Sequence, residues 1–197
     1  MLATVMLISA VMIPALSVSR FENALVNTVD TQALGVSESD LSAFAQTTMR
    51  YLRGQIPEWN VQIPRTGVPD SFRLHMAEVR GWVSAAPWLI GAGLAIGLLL
   101  LWSGGFSRGA TLWGALSTIA LVLCAALWAA VDFRSLWMVL HKAFIPGGIF
   151  SAREPVMQLF PLALFMRYAA PVCLWAAGLL AVLCAFLYFL KPKGKIR

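Results

Sequence analysis

The chain has 197 residues, of which 59% are hydrophobic and only 12% are charged, with a formal net charge of +6. This composition excludes an ordinary soluble globular protein. The positive charge implies no nucleic-acid partner, because most of it falls in two short segments that we expect beside anionic lipid.

Four uncharged, mostly apolar runs dominate the chain, and they cover residues 1–19, 81–107, 109–131 and 168–190. About 20 apolar residues cross the hydrocarbon core of a bilayer as a helix. The first run is the shortest, but it lacks the basic start and cleavage site of a signal peptide, so we interpret it as a span. The sequence therefore predicts an α-helical membrane protein with four transmembrane helices, at 1–19, 83–103, 110–131 and 168–190.

The charges between these spans predict their orientation. The short turn 104–109 and the tail 191–197 together hold five basic residues and no acidic one. Basic residues near span ends favour the cytoplasmic side. Both termini are then cytoplasmic. Residues 20–82 form a small extracytoplasmic domain, and residues 132–167 form a second outward-facing segment, which lies partly at the membrane interface.

All three cysteines, Cys124, Cys173 and Cys184, lie inside predicted spans. A thiol surrounded by hydrocarbon resists ionisation, and none of the three is in an outer segment where disulfides form. We interpret them as packing residues.

Two helices are predicted in the first outer segment. Ser37 to Leu52 has apolar residues at helical spacing, and Gly54 is suited to end that helix. A second helix begins near Asp70 and continues into the second span. Between them, three prolines and a glycine within residues 55–70 exclude a continuous helix.

The second of these helices contains His75, one of only two histidines in the chain. Glu78 lies on the same helical face, and Arg73 and Arg80 flank it. The helix of the third span is predicted to continue through Asp132 to His141, so both imidazoles are predicted to lie at one membrane surface. Histidine is the side chain best suited to move protons near neutral pH, although a histidine at a span end is often only an interfacial polar group.

Two histidines without an H-E-x-x-H pattern are too few for a typical zinc site, so we expect no metal and no other cofactor. The chain also lacks the G-x-S-x-G pattern of a serine nucleophile.

Three short blocks resemble those of one bacterial membrane-protein family. His75-Met76-Ala77-Glu78-Val79-Arg80 is similar to the H-M-x-D-V-K block of the lipoprotein intramolecular transacylases, the Lit family. A later block also fits, consisting of Asp132-Phe133, His141, the run FIPGG at 144–148 and Leu159-Phe160-Pro161. Tyr51-Leu52-x-Gly54 is similar to a third element. The chain departs from the pattern at Glu78 and Arg80, which replace aspartate and lysine, and in lacking a tryptophan just after Gly148.

This resemblance implies an enzyme that moves the sn-2 acyl chain of a diacylglyceryl lipoprotein to the α-amino group of its N-terminal cysteine, leaving a lyso-form lipoprotein. Such an enzyme works in the bacterial cytoplasmic membrane at the outer leaflet and needs no external acyl donor. His75 and His141 are the expected catalytic residues. The candidates for orienting an imidazole, stabilising the oxyanion or positioning substrate are Glu78, Arg73, Arg80, Asp132, Arg153 and Tyr51.

Two other function classes stay open on the sequence. One is a lipid or lipoprotein ester hydrolase, which would release free fatty acid. The other is a non-catalytic accessory or sensor protein, for which substitution of either histidine would have no effect on activity. The sequence does not indicate the oligomeric state or which histidine is the base.

Overall fold

The computed structural model describes residues 16–61, 68–103, 108–145, 150, 154–168 and 178. This part of the chain is helical and contains no β-strand. Its helices are α1 (Val18–Val26), α2 (Thr31–Leu34), α3 (Glu38–Leu52), α4 (Asp70–Trp102), α5 (Arg108–Phe144) and α6 (Pro155–Leu159). A further helical stretch occupies residues 162–168.

Helix α3 begins and ends where the sequence predicts. The Ser37 side chain accepts a hydrogen bond from the backbone N–H of Asp40, and the Asp40 carboxylate accepts one from the backbone N–H of Ser37. This capping box satisfies two backbone donors that a helix start leaves free. Gly54 follows the helix with φ +75°, a left-handed conformation that glycine adopts at little cost.

Helices α4 and α5 are long and apolar enough, by length and composition, to cross a membrane. The first turns of α4 pack against the rest of the protein, because Phe72, His75 and Met76 are buried there. Farther along α4, large apolar side chains such as Trp88 and Leu98 are exposed, as expected for a surface that faces lipid. The helix predicted to begin near Asp70 and to continue into the second span is confirmed.

Helix α5 is kinked at Asp132, whose φ of −149° and ψ of 82° are not helical. The Asp132 carboxylate accepts a hydrogen bond from the backbone N–H of Ser135 at 3.0 Å, which is the geometry of a helix N-cap. The residues after the kink therefore form a separately capped helical segment, 133–144, and this segment carries His141.

The hydrophobic core lies in the small domain formed by α1, α3, the start of α4 and residues 156–164. Phe160 contacts the rings of Phe44 and Phe72, with centroids 5.5 and 5.4 Å apart. Trp59 packs against Phe72 at 5.5 Å and donates a buried hydrogen bond from its indole nitrogen to the Thr48 hydroxyl at 3.1 Å. These contacts fix the first two turns of α4, and thus the backbone of His75, against the domain.

The segment 132–167, predicted to lie partly at the membrane interface, contributes one apolar face to this core through Val156, Leu159, Phe160 and Leu164. The predicted spans 1–19 and 168–190 and the tail 191–197 lie almost wholly outside the described residues, as does most of the turn 104–109. The helical class is confirmed for the described part of the chain, whereas the number of four transmembrane helices stays a prediction.

Candidate active site

The two histidines lie together although 66 positions separate them in the chain. Their ring centroids are 5.8 Å apart and the ring planes differ by 35°. His75 comes from the domain end of α4, and His141 comes from the segment that follows the kink in α5. The two long helices thus each supply one imidazole to a single site.

Aromatic rings surround the pair. The rings of Phe72 and Phe150 lie edge-on to His75 at 5.6 and 5.4 Å. The ring of Trp137 lies 4.4 Å from that of His141 and stacks at the same distance on Phe165. Such surroundings lower the local polarity and strengthen electrostatic interactions between groups inside the site.

These surroundings keep both imidazoles neutral. Both histidines lie outside the uncharged runs, since His75 precedes Gly81 and His141 follows Val131. Burial, with a smaller contribution from His141, lowers the pKa of His75 to about 4. Burial also lowers the pKa of His141, and a hydrogen bond to the Trp137 backbone carbonyl partly opposes that shift. Near neutral pH, each side chain can therefore accept a proton or donate a hydrogen bond from its N–H.

The Nδ1 atom of His75 is buried and has no hydrogen-bond partner among the described residues. His75 as a whole is only 9% exposed. A buried polar atom without a partner is unfavourable by about 1–3 kcal/mol, and such atoms are uncommon outside functional sites.

The other candidate residues on α4 lie around the site rather than between the imidazoles. Glu78 is exposed and has no hydrogen bond or ion pair with a described residue. Arg73 donates hydrogen bonds to the Trp59 carbonyl and Asn60 and lies 4.0 Å from the carboxylate of Asp70.

Arg80 joins α4 to the end of α3. It donates a hydrogen bond to the Pro57 carbonyl at 2.9 Å, and its guanidinium lies 4.8 Å from the centre of the Tyr51 ring. Tyr51 itself is buried in the domain core. Both residues therefore hold the loop after α3 against the helix that carries His75.

Two further candidates come from the later part of the chain. Asp132 caps the segment that carries His141, so its carboxylate is bonded to a backbone N–H of that segment. Arg153 lies outside the described residues. No group of three or more histidine, cysteine or acidic side chains that could hold a metal occurs in the part of the chain that the structure describes.

Sequence reasoning placed Trp137 one helical turn from His141, which is confirmed, but missed the two phenylalanines that contact His75. Phe72 precedes His75 by three positions and so shares its helical face, which is a signal that the sequence contained. Phe150 is 75 positions from His75 in the chain and reaches it only through the tertiary fold, so no local pattern indicated it.

Comparisons with known proteins show a family and a fold for this chain. The family model for the lipoprotein intramolecular transacylase Lit matches residues 1–165. The solved structure of the membrane integral lipoprotein intramolecular transacylase Lit from Bacillus cereus matches with a TM-score of 0.71 at 18% identity, over 96% of this chain and 92% of that chain. Two structures of that protein with a histidine replaced by alanine or by arginine give TM-scores of 0.67 and 0.65, at 16% and 17% identity. Each covers 96% of this chain and 88% of its own. At these identities the likeness is one of fold. No curated protein sequence matches the chain.

Proposed function

The chain belongs to the lipoprotein intramolecular transacylase (Lit) family, and from this premise we propose that it moves the sn-2 acyl chain of a diacylglyceryl lipoprotein to the α-amino group of the N-terminal cysteine. The product is a lyso-form lipoprotein with the same total mass. The observation that carries the proposal is the contact between His75 and His141, two neutral imidazoles within one aromatic site.

His141 is the better general base of the two. The α-ammonium group of the substrate has a pKa of about 8, so a base loses driving force as its own pKa falls below that value. The pKa of His75 falls to about 4, whereas the hydrogen bond to the Trp137 carbonyl keeps His141 more basic than burial alone would allow. We therefore assign proton removal from the ammonium group to His141.

His75 then stabilises the oxyanion. A neutral imidazole donates a hydrogen bond from one ring nitrogen, and an imidazole of low pKa stays neutral throughout the reaction. The buried Nδ1 of His75 has no described partner, so a hydrogen bond from this nitrogen to the carbonyl oxygen of the sn-2 ester would satisfy it.

The bond changes balance within one molecule. The cysteine nitrogen attacks the ester carbonyl, the new C–N bond forms, and the C–O bond to glycerol breaks. His141 first takes one proton from the ammonium group and releases it to water, which leaves the neutral amine that attacks. After the attack His141 takes a second proton from the same nitrogen and gives it to the departing glycerol oxygen. No external acyl donor takes part, and the rings of Phe72, Phe150 and Trp137 limit access of water that would otherwise hydrolyse the ester.

The remaining candidates have supporting roles in this proposal. Arg80 and Tyr51 hold the loop after α3, Arg73 holds residues 59–60, and Asp132 sets the start of segment 133–144. The exposed carboxylate of Glu78 is a candidate for attracting the substrate ammonium group. We place the site at the outer leaflet of the bacterial cytoplasmic membrane, where a diacylated lipoprotein presents its ester at headgroup depth.

Mass spectrometry of a synthetic diacylated lipopeptide incubated with the purified protein tests this function. The wild-type protein should give a product of unchanged mass whose N-terminal fragment has gained one acyl chain. His141→Gln should reduce the rate by roughly 10²- to 10⁴-fold, the usual contribution of a general base.

Lys142→Gln is the matched control, because Lys142 is the exposed neighbour of His141 and should tolerate the change. Loss of one acyl chain as free fatty acid would replace the proposal with a hydrolase. Equal activity of wild type and His141→Gln would exclude the assigned base.

A further inference from the structure

Trp82 joins the two histidine-bearing helices at a second point. Its indole nitrogen donates a hydrogen bond to the backbone carbonyl of Phe144 at 3.0 Å. The two rings also meet edge-on, with centroids 5.5 Å apart and an interplanar angle of 89°.

This contact lies on the same helix faces as the histidine pair. Trp82 follows His75 by seven positions, which is close to two full turns of α4, so the two side chains leave the same side of the helix. Phe144 follows His141 by three positions and is the last residue of α5. The bond therefore connects α4 to the end of the segment that carries His141.

The residue numbers of the two contacts show how the segment that carries His141 crosses α4. Only residues 103–107 separate helices α4 and α5 in the chain, and so short a connection makes neighbouring helices antiparallel. In a straight antiparallel pair, higher residue numbers on one helix face lower numbers on the other. Here the contact numbers rise together, from His75 with His141 to Trp82 with Phe144. The segment after the kink at Asp132 therefore does not run antiparallel to α4. The packing of the earlier part of α5 does not fix the direction of this segment, so other contacts must hold it.

Both ends of this crossing segment are held by side chains. Asp132 caps its first turn through the backbone N–H of Ser135. The last carbonyl groups of any helix lack hydrogen-bond donors within the helix. At the other end of this segment, the Trp82 N–H donates a hydrogen bond to the last carbonyl, that of Phe144.

We propose that Trp82 is a positioning residue that holds His141 opposite His75 by hydrogen-bonding the last carbonyl of the His141 segment. Its effect on turnover rests on the proposed function, whereas its effect on the geometry of the histidine pair does not. Trp82 touches no reacting group in this proposal and acts only through Phe144.

Trp82→Phe removes the N–H and retains an aromatic ring. We expect kcat for acyl transfer to fall roughly 10- to 100-fold, because small displacements of catalytic groups have effects of this size. KM should change less than about twofold, since Trp82 does not bind substrate. Trp88→Phe is the matched control, because Trp88 lies on the same helix, is 82% exposed and has no hydrogen bond with a described residue.

A second measurement reports the geometry without activity. The chain has only two histidines, so histidine-labelled protein gives two sets of imidazole NMR signals, which His75→Gln assigns. Trp82→Phe should raise the pKa of His75 from about 4 toward 6.5 as His141 moves away and water enters, whereas Trp88→Phe should leave it unchanged.

An unchanged titration of His75 in Trp82→Phe overturns the proposal, whatever happens to kcat. A shifted titration in a protein whose wild type transfers no acyl chain supports the positioning role and overturns the proposed function instead. If Trp82→Phe does not fold, replacing Trp82 with benzothienylalanine keeps the ring shape, removes the N–H and yields the same two outcomes.

Discussion

The protonation of the two histidines follows from what each side chain contacts. His75 lies among Phe72 and Phe150 with no described acidic partner, so only its neutral form is favourable. His141 has the same kind of aromatic surroundings but also a carbonyl that favours its protonated form. In the mechanism that we propose, this difference between two otherwise identical side chains gives one of them the role of base and the other the role of hydrogen-bond donor.

The pH dependence of activity tests that assignment. Because burial lowers the pKa of His141, the fall of kcat on acidification should be centred below pH 6.5, the pKa of a solvent-exposed imidazole. Activity should then decline at lower pH as His141 becomes protonated. Rates measured with a diacylated lipopeptide between pH 4 and 8 provide the check. A decline of kcat centred at or above pH 6.5 would mean that the base is a solvent-exposed group.

Stability should depend on pH in the same range. The pKa of His75 is about 4 in the folded protein and 6.5 when unfolded, so the unfolded chain binds a proton first as pH falls. The stability associated with neutral His75 is complete above pH 6.5 and is lost progressively toward pH 4. We expect Tm to decrease over this interval, and to decrease less in His75→Gln. Equal slopes in the two proteins would contradict the burial of His75.

At the scale of the helices, the kink at Asp132 determines where His141 lies. Asp132→Ala removes the carboxylate that accepts from Ser135 N–H, and loss of such a cap reduces helix stability by about 0.5–2 kcal/mol. Asp132→Asn retains an oxygen in the same place and serves as the matched variant. We expect kcat to fall in Asp132→Ala and to be largely retained in Asp132→Asn. A large loss in both would indicate that the charge of Asp132, rather than its capping bond, is required.

Two glycines near Arg80 predict opposite effects of an added methyl group. Gly54 has φ +75°, so Gly54→Ala should destabilise the protein by roughly 1–2 kcal/mol through its backbone conformation. Space is not the reason, since the new Cβ would lie 3.7 Å from the Arg80 guanidinium. Gly81 lies inside α4, and a Cβ added there would meet no neighbouring atom within 4 Å, so Gly81→Ala should stabilise the helix by up to about 1 kcal/mol. Thermal unfolding of both variants measures the difference, and a shift of the same sign in both would refute the explanation.

The same elements show what could be predicted from the sequence. The bounds of α3 followed from Ser37, Asp40 and Gly54, because caps and stops depend on neighbouring residues. The kink at Asp132 did not, since the apolar run before it and the helical pattern after it both indicated one continuous helix. In sequence, a polar residue that caps the start of the following helix looks the same as one that ends the preceding helix.

For the whole molecule, the small domain and the long helices have different surfaces. The domain buries the aromatic residues of α1, α3 and 156–164 around the start of α4, and the long helices leave Trp88 and many leucines exposed. The pairing of His75 with His141 depends on both parts, because the domain fixes the first imidazole and the kinked helix supplies the second. Sequence patterns place each histidine at the end of an apolar run, but only the tertiary fold sets the distance between their rings.

The orientation of this molecule in the membrane can be tested on living cells. Five basic residues and no acidic residue occupy 104–109 and 191–197, which predicts that these segments are cytoplasmic and that α3 is outside. In a variant with Cys124, Cys173 and Cys184 replaced by alanine, Gln46→Cys places a thiol on the exposed face of α3. A membrane-impermeant maleimide should label Gln46→Cys in intact cells, whereas Lys193→Cys should be labelled only after the cells are permeabilised. The reverse pattern would place the histidine site on the cytoplasmic side, where a lipoprotein already exported across the membrane could not reach it.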